Sequence, residues 1–260
     1  MKNIVTTFIT ECLKLRRSGI FWITIVIFII IPLMMGLMMF VAKNPEIAAK
    51  LGLIGTKSKL FGQNDWNGYL GLIIQTITSL GLIGFGFVSS WVFGREYSDR
   101  TIKDILALPV PRSSIVISKF LVIFLWCILL SLILFFVSIF IGLMMHIPGW
   151  TVQVFFDLSH KFFITTFLTL FLCPPVAFFA GYSRGIIGPL GFVIITLVMA
   201  QFIGLVGLGP FFPWAIPGVY TASADIEGMQ LFPVSYIILI LTSALGFIGT
   251  ILWWRFADLH

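Results

Sequence analysis

The sequence predicts an all-α integral membrane protein that forms a single domain over residues 1–260. Its composition is 59% hydrophobic and 10% charged, with a mean hydropathy of +1.10, whereas soluble domains average about a quarter charged residues. Six charge-free stretches can each cross a hydrocarbon core of about 30 Å, which takes about 20 helical residues. The predicted architecture is six transmembrane helices, with an N-terminal amphipathic helix, a short cytoplasmic helix and a re-entrant outer hairpin before the last span.

The segment that precedes the first span has an apolar stripe at helical spacing, formed by Ile4, Phe8, Cys12 and Leu15. Basic residues follow near the lipid boundary. This pattern predicts an amphipathic helix that lies in the cytoplasmic leaflet and turns into the first span. A plain, positively charged anchor is the alternative.

The six spans are predicted at residues 20–42, 69–93, 115–142, 162–182, 186–206 and 234–254. The first is too long for the apolar core of a cleaved signal peptide, which has about 7–15 residues. Glycines are frequent in the second and fifth spans, so these two are candidates for the subunit or bundle interface, with a hinge as the alternative role. Cys173, Pro174 and Pro175 predict a kink in the fourth span.

Between the second and third spans, the segment 93–119 concentrates the charge of the chain. Its charged residues up to position 112 are Arg95, Glu96, Asp99, Arg100, Lys103, Asp104 and Arg112. A charge at the bilayer centre costs about 2.5–3.5 kcal/mol even on the most lenient scale. We therefore expect the whole segment to lie in water.

A short amphipathic helix is predicted within this segment. Two pairs of opposite charge stand four residues apart, Asp99 with Lys103 and Arg100 with Asp104. Ile102, Ile105 and Leu106 fall on one helical stripe. Such a helix would lie across a membrane face and present its charges to something outside the lipid.

Before the last span, an uncharged stretch contains Pro210, Pro213 and Pro217, which interrupt a continuous helix. A seventh crossing is the alternative, but a re-entrant or interfacial hairpin is favoured. Aromatic residues in this stretch suit a membrane interface, namely Phe211, Phe212, Trp214 and Tyr220.

The distribution of Lys and Arg predicts the orientation. One side of a six-span arrangement carries eleven of them: Lys2, Lys14, Arg16, Arg17, Arg95, Arg100, Lys103, Arg112, Lys119, Arg184 and Arg255. The other side carries five: Lys43, Lys50, Lys57, Lys59 and Lys161. Because cytoplasmic loops are enriched in basic residues, both termini and the segment 93–119 are predicted to be cytoplasmic.

The sequence contains no motif of catalysis, metal binding or phosphate binding. It lacks a P-loop and an HExxH zinc motif, and its three histidines and three cysteines are scattered. No clustered basic surface suggests nucleic acid. Gln75 and Gln201 are the polar candidates deep in the bundle: an interhelical hydrogen bond is the favoured role of each, and contact with a substrate is the alternative.

The segment from Phe93 to Lys119 resembles the loop between the second and third spans of type-2 ABC exporter permeases. The matching positions are Arg95 and Glu96, Thr101, Pro109 and Arg112, and Lys119. The resemblance extends over almost the whole chain, through the amphipathic N-terminus, the six spans and the Pro-rich hairpin. The chain is similar to the compact branch found in peptide-antibiotic immunity and in bacteriocin or toxin-peptide exporters.

This resemblance implies a plasma-membrane permease that is not itself an enzyme. It would pair with a second copy or a close relative and with two ATPase subunits, which would bind ATP and Mg²⁺, and it would need no cofactor of its own. The helix from Asp99 to Leu108 would be the coupling helix. The implied contact residues are Arg95, Glu96, Asp99, Arg100, Thr101, Lys103, Asp104, Pro109 and Arg112.

The cargo is predicted from the bundle itself. With 28 Phe, 8 Trp and no charge central in any predicted span, a pathway would suit a hydrophobic or amphipathic peptide or antibiotic rather than a small ion. Gln75, Gln201, Phe211, Phe212 and Trp214 are its candidate lining residues. The rival interpretation is a stand-alone membrane immunity or scaffold protein that uses no ATP.

Overall fold

A computed structural model describes residues 2–43, 65–102, 104, 107, 109–222 and 230–256. Within these residues the chain is helical, with no strand. Four of the ten positions of the predicted coupling helix (99–108), including Lys103, lie outside the described residues.

Six helices are long and apolar enough to cross a membrane, which confirms the predicted number of spans. An N-terminal helix, Lys2–Arg16, precedes them. The spans, named here one to six, comprise the helices Gly19–Lys43, Trp66–Ser98, Arg112–Met144, Val152–Leu170 continued by Cys173–Tyr182, Ile187–Leu205, and Pro233–Phe256.

Spans two, three and four are longer than predicted. Spans two and three have 33 residues each, which corresponds to about 50 Å of helix at 1.5 Å per residue. Since the hydrocarbon core is about 30 Å thick, both helices extend beyond it. Span four begins at Val152, ten residues early, because the Thr151 hydroxyl accepts a hydrogen bond from Val154 N at 3.2 Å and caps the helix.

Spans two, three and four form the centre of the bundle. Within the apolar 18-residue stretch of each helix, 50% of span two, 44% of span three and 56% of span four are buried, against 22% of span five and 28% of spans one and six. The outer surface of the peripheral spans is apolar, with side chains such as Leu205 and Phe202 exposed. That surface is suited to contact with lipid or with another apolar chain.

Two glycine contacts hold the peripheral helices against the centre. A Cβ on Gly94 would lie 2.6 Å from Gly185 O, so span two meets the start of span five backbone to backbone. A Cβ on Gly246 would overlap the backbone of Pro174 and Pro175, where span six crosses the break in span four. Both glycines allow an approach that any side chain would prevent.

The Pro-rich stretch forms a 3₁₀ turn, Gly209–Phe211, and a short helix, Ile216–Ala222. Ile216 is fully buried and packs in a cluster that includes Leu82 of span two and Leu172 of span four. The stretch therefore folds back onto the spans rather than forming a continuous seventh helix. Its depth in the membrane, and so its re-entrant character, stays a prediction.

Candidate functional site

A cluster of charges, most of them buried, lies at the end of the bundle where spans two and three meet the segment 93–119. We call it the charged cluster and define it by Glu11, Lys14, Glu96 and Lys119. The N-terminal helix supplies the first two residues, the last turn of span two supplies Glu96, and the second turn of span three supplies Lys119. The cluster thus joins three elements that are far apart in sequence.

Lys119 is the centre of the cluster and has no solvent exposure. Its Nζ donates to Glu96 Oε1 at 2.9 Å, to Val92 O at 3.0 Å and to Glu11 Oε2 at 3.2 Å. An ammonium group has three N–H donors, so every donor has an acceptor. This complete pairing explains how a cation is tolerated inside a hydrophobic bundle.

Glu96 connects the cluster to the loop that follows it. Its side chain is 2% exposed, and its second oxygen, Oε2, accepts a hydrogen bond from Thr101 Oγ1 at 2.7 Å. Lys14 Nζ lies 3.3 Å from Glu96 Oε1 and 2.9 Å from Glu11 Oε1. The expectation that all the charges of the segment lie in water is therefore wrong for Glu96, because its charge is neutralised by the buried Lys119 and the partly exposed Lys14 rather than by solvent.

The environment of Glu11 keeps its carboxylate ionised. Burial alone would raise its pKa, but the positive charges of Lys119 and Lys14, together with the hydrogen bond from Lys14, outweigh burial and hold the pKa below its usual value. Glu11 lies on the apolar stripe of the N-terminal helix, three residues after Phe8 and seven after Ile4. A carboxylate on an otherwise apolar helix face is the feature of the sequence that could have indicated this site.

Span two ends in a sharp turn directly above the cluster. Thr101 N donates to Glu96 O at 3.0 Å and Arg100 N donates to Tyr97 O at 3.2 Å, the two bonds of a Schellman motif. Arg100 occupies the left-handed position of that motif, with φ of 57°. The predicted helix therefore does not begin at Asp99, and Arg100 and Asp104 do not form an i,i+4 pair on one helix.

Beyond the turn, the described residues divide into an inner and an outer set. Ile102 is helical and buried against the core. The side chains of Asp99, Arg100 and Asp104 are exposed. The segment thus presents both charge signs outward while its apolar residue anchors it to the bundle.

The remaining predicted contact residues flank this turn. Arg95 is partly buried, with its guanidinium carbon 4.6 Å from the ring centroid of Trp91. Pro109 and Arg112 are exposed. Arg112 Nη1 donates to Trp254 O at 3.3 Å and to Arg255 O at 3.2 Å, so it caps the end of span six with a positive charge.

The predicted substrate-pathway residues do not form one compact site. Gln75 lies on span two just before a π-helical turn, Ile77–Gly81, and Gln201 lies on the neighbouring span five. Both are exposed, and within the described part of the chain neither amide has a hydrogen-bond partner. In the Pro-rich stretch, the ring centroids of Phe212 and Trp214 are 5.6 Å apart. Phe211 instead stacks on Phe232, at 6.4 Å.

Both a family model and a characterised relative match this chain. The model of the family described as "ABC-2 family transporter protein" matches residues 7–201 of the 260. The bacitracin transport permease protein BCRB of Bacillus licheniformis is 27% identical over 224 residues, which cover 84% of this chain and 98% of that protein. The family match includes most of the N-terminal helix, spans one to four and most of span five, and therefore the whole charged cluster.

Proposed function

Because this chain belongs to the ABC-2 family of transporters and is a six-span transport permease subunit, we propose that it exports a hydrophobic or amphipathic substrate, driven by ATP hydrolysis on a partner chain. Membership of the family implies an ABC ATPase partner in general. A peptide or a peptide antibiotic, taken from the cytoplasm or the inner leaflet, is the proposed substrate. The permease itself contributes no catalytic residue.

The charged cluster is the observation that carries the coupling part of this proposal. An ATPase that docks on the exposed charges of Asp99, Arg100 and Asp104 would pull or push on the turn after span two. Through Thr101 and Glu96 that turn is bonded to Lys119 of span three and to the N-terminal helix. A displacement at the loop would therefore move three elements as one rigid body rather than bend a flexible linker.

We infer that the working assembly contains two ATPase chains, which hold ATP and Mg²⁺, and a second copy of the permease or a close relative. Support for a second permease comes from Gln75 and Gln201, whose exposed amides have no partner in the described chain. An amide that faces hydrocarbon loses its hydrogen bonds with water without replacement. A partner permease, or a pathway between the two copies, would provide those bonds.

The substrate class is supported by the apolar bundle and by the name of a relative. Aromatic side chains of the Pro-rich stretch, Phe211, Phe212 and Trp214, offer hydrophobic surface without fixed charge. The Bacillus licheniformis relative is described as a bacitracin transport permease. Both observations favour a hydrophobic peptide over a small ionic solute, which would lose its hydration without a compensating charge.

Affinity purification of the tagged permease from its host in Mg-ATP, followed by mass spectrometry, tests the proposal. We expect an ABC ATPase to co-purify and its hydrolysis rate to rise when the permease is added back in lipid vesicles. Recovery of the permease without any ATPase, together with full protection of cells against a peptide antibiotic, would instead support a stand-alone immunity protein.

A further inference from the structure

A cavity of about 590 Å³ lies between spans three, four and six, and no residue of the charged cluster lines it. It is near the middle of spans four and six, beside the break in span four. Twelve residues line it, among them Leu121 and Phe124 of span three, Phe171, Cys173 and Pro174 at the break in span four, and Ser243 of span six. The volume falls within the range of roughly 300–1,000 Å³ that is typical of small-molecule sites.

The lining of this cavity is almost entirely hydrocarbon. Ser243 supplies a hydroxyl and Cys173 a thiol, and the other ten residues present aliphatic or aromatic surface or a proline ring. A peptide backbone in this space would leave its N–H and C=O groups without partners, at a cost of several kcal/mol for each group. An aliphatic chain has no such groups and loses nothing by entering.

The mouth of the cavity is continuous with the outer surface of the bundle. Four of its residues are nearly half exposed there: Leu121 at 43%, Phe124 at 42%, Phe167 at 46% and Phe171 at 42%. Because spans three, four and six cross the membrane, that surface faces lipid. The opening therefore leads to the acyl chains of the bilayer rather than to water.

We propose that this cavity binds one acyl chain of a membrane lipid. The chain would lie against the break in span four, where Phe171, Cys173 and Pro174 form one wall, and would fill space that the helices leave open. The inference rests on the membrane location of the spans and holds whether or not the chain is driven by ATP. The site is distinct from the proposed cargo pathway, whose residues lie on spans two and five and in the Pro-rich stretch.

Photolabelling in lipid vesicles tests the proposal directly. A phosphatidylglycerol with a diazirine near the end of one acyl chain is incorporated with the purified permease, and labelled residues are mapped by mass spectrometry. We expect labelling of the stretches 167–174 and 243–247 to exceed that of the lipid-facing residues of span one several-fold. A probe with the diazirine in its headgroup should not show this enrichment. Equal labelling of all lipid-facing surfaces by the acyl probe would overturn the proposal.

A matched pair of variants separates the cavity from the surface around it. Leu121→Trp places an indole at the mouth, whereas Leu125→Trp makes the same change one turn further along span three, where the side chain is 50% exposed and does not line the cavity. Labelling of the cavity residues should fall in the first variant and stay unchanged in the second. Equal labelling in both variants would contradict an acyl chain that enters through this mouth.

Competition identifies the occupant. An excess of unlabelled fatty acid should reduce labelling of the cavity residues while leaving span one unaffected. Protection by an added hydrophobic peptide but not by the fatty acid would show a peptide site and would overturn the acyl-chain assignment.

Discussion

At the scale of single residues, Lys119 determines whether the buried charges stabilise or destabilise the bundle. Its ammonium group is surrounded by two carboxylates and a backbone carbonyl, all within 3.2 Å. Breaking a buried pair by removing one partner typically costs about 3–5 kcal/mol, because the remaining charge is left without compensation. Removing both partners of a pair costs much less.

The first prediction follows from this asymmetry. Lys119→Met should lower the stability of the purified permease by about 3–5 kcal/mol, because Glu11 and Glu96 then lose their fully buried cation and keep only the partly exposed Lys14 and, for Glu96, Arg95 at 3.7 Å. The double variant Lys119→Met with Glu96→Gln should be more stable than the single one, since Glu11 keeps Lys14. Thermal unfolding in detergent, followed by tryptophan fluorescence, measures the wild type, the single variants Lys119→Met and Glu96→Gln, and the double variant. Strictly additive losses would show that the two side chains do not interact.

The second prediction concerns pH. A depressed pKa of Glu11 in the folded state means that its contribution to stability is complete above the unfolded pKa of about 4.3 and is lost as pH falls through the lower, folded value. Titration of Glu11 should therefore not change the unfolding temperature of the permease between about pH 7 and 5, and should lower it only in more acidic buffer. In the Glu11→Gln variant, the unfolding temperature should fall less steeply as the pH is lowered through this acidic range. A Glu11-dependent loss that begins near neutral pH would contradict the assignment.

The sequence indicates that charged residues lie at this site, but it does not show which of them pair. Arg95, Glu96 and Lys119 were all recognised as parts of one motif, yet their burial could not be read from it. Lys119 and Glu11 are 108 residues apart, and a contact over that separation leaves no local pattern. Only the position of Glu11 on an apolar stripe was a signal available before the fold was known.

At the scale of elements, the turn after span two shows why helix ends are hard to predict. The left-handed position of a Schellman motif is usually glycine, because other residues pay roughly 1–2 kcal/mol there. Here that position is occupied by Arg100, a residue type that does not predict the end of a helix. Span two therefore continues to Ser98, five residues beyond the predicted end. Span four likewise begins before the predicted residue 162: the charge-free stretch starts only after Lys161, whereas the helix extends back to the Thr151 cap.

The third prediction tests the loop as a docking element. The double reversal Arg100→Glu with Asp104→Lys inverts two exposed charges without touching the charged cluster, so the permease should insert and fold normally. It should lose ATPase association or transport, because complementary charges steer such an interface. Co-purification of the ATPase and its hydrolysis rate in vesicles are the measurements.

Two control variants sharpen this test. Asp157→Lys makes the same acidic-to-basic change at an exposed site at the opposite end of the bundle and should leave ATPase association intact. Arg100→Gly removes the charge but preserves the turn, because glycine adopts the left-handed conformation without strain. A loss of ATPase association in this variant would therefore be due to the missing charge and not to a disrupted turn. Undiminished transport by the double reversal would show that the loop is only a solvated linker.

At the scale of the whole molecule, the number of spans was predictable because hydropathy alone reports it, whereas their arrangement was not. That spans two, three and four are central follows from contacts such as Gly246 against the break in span four, which composition does not reveal. The glycine-rich character of spans two and five made them candidates for the subunit or bundle interface, and within the bundle Gly94 of span two does lie against Gly185, just before span five.

The fourth prediction is the orientation of the bundle. The excess of eleven basic residues over five predicts cytoplasmic termini and a cytoplasmic segment 93–119. Single cysteines introduced at Ala224 and His260 into a variant without native cysteines should react differently with a membrane-impermeant maleimide. In intact cells the first should be labelled and the second protected until the membrane is opened. Labelling of the His260 site from outside would reject the six-span orientation.

The fifth prediction is the cargo. The permease and its ATPase would be reconstituted in lipid vesicles, and ATP turnover would be measured with a hydrophobic peptide, with a version of equal length carrying lysines at alternate positions, and with small hydrophilic solutes. Stimulation should be largest for the hydrophobic peptide, because the described spans carry aromatic and aliphatic side chains toward their surfaces and no charged side chain at their centres. The lysine-bearing peptide would have to shed the hydration of each charge without a carboxylate to replace it, which costs at least about 2.5 kcal/mol for each at mid-membrane. Stimulation confined to the hydrophilic solutes would reverse this assignment, and it would do so without affecting the family membership or the charged cluster.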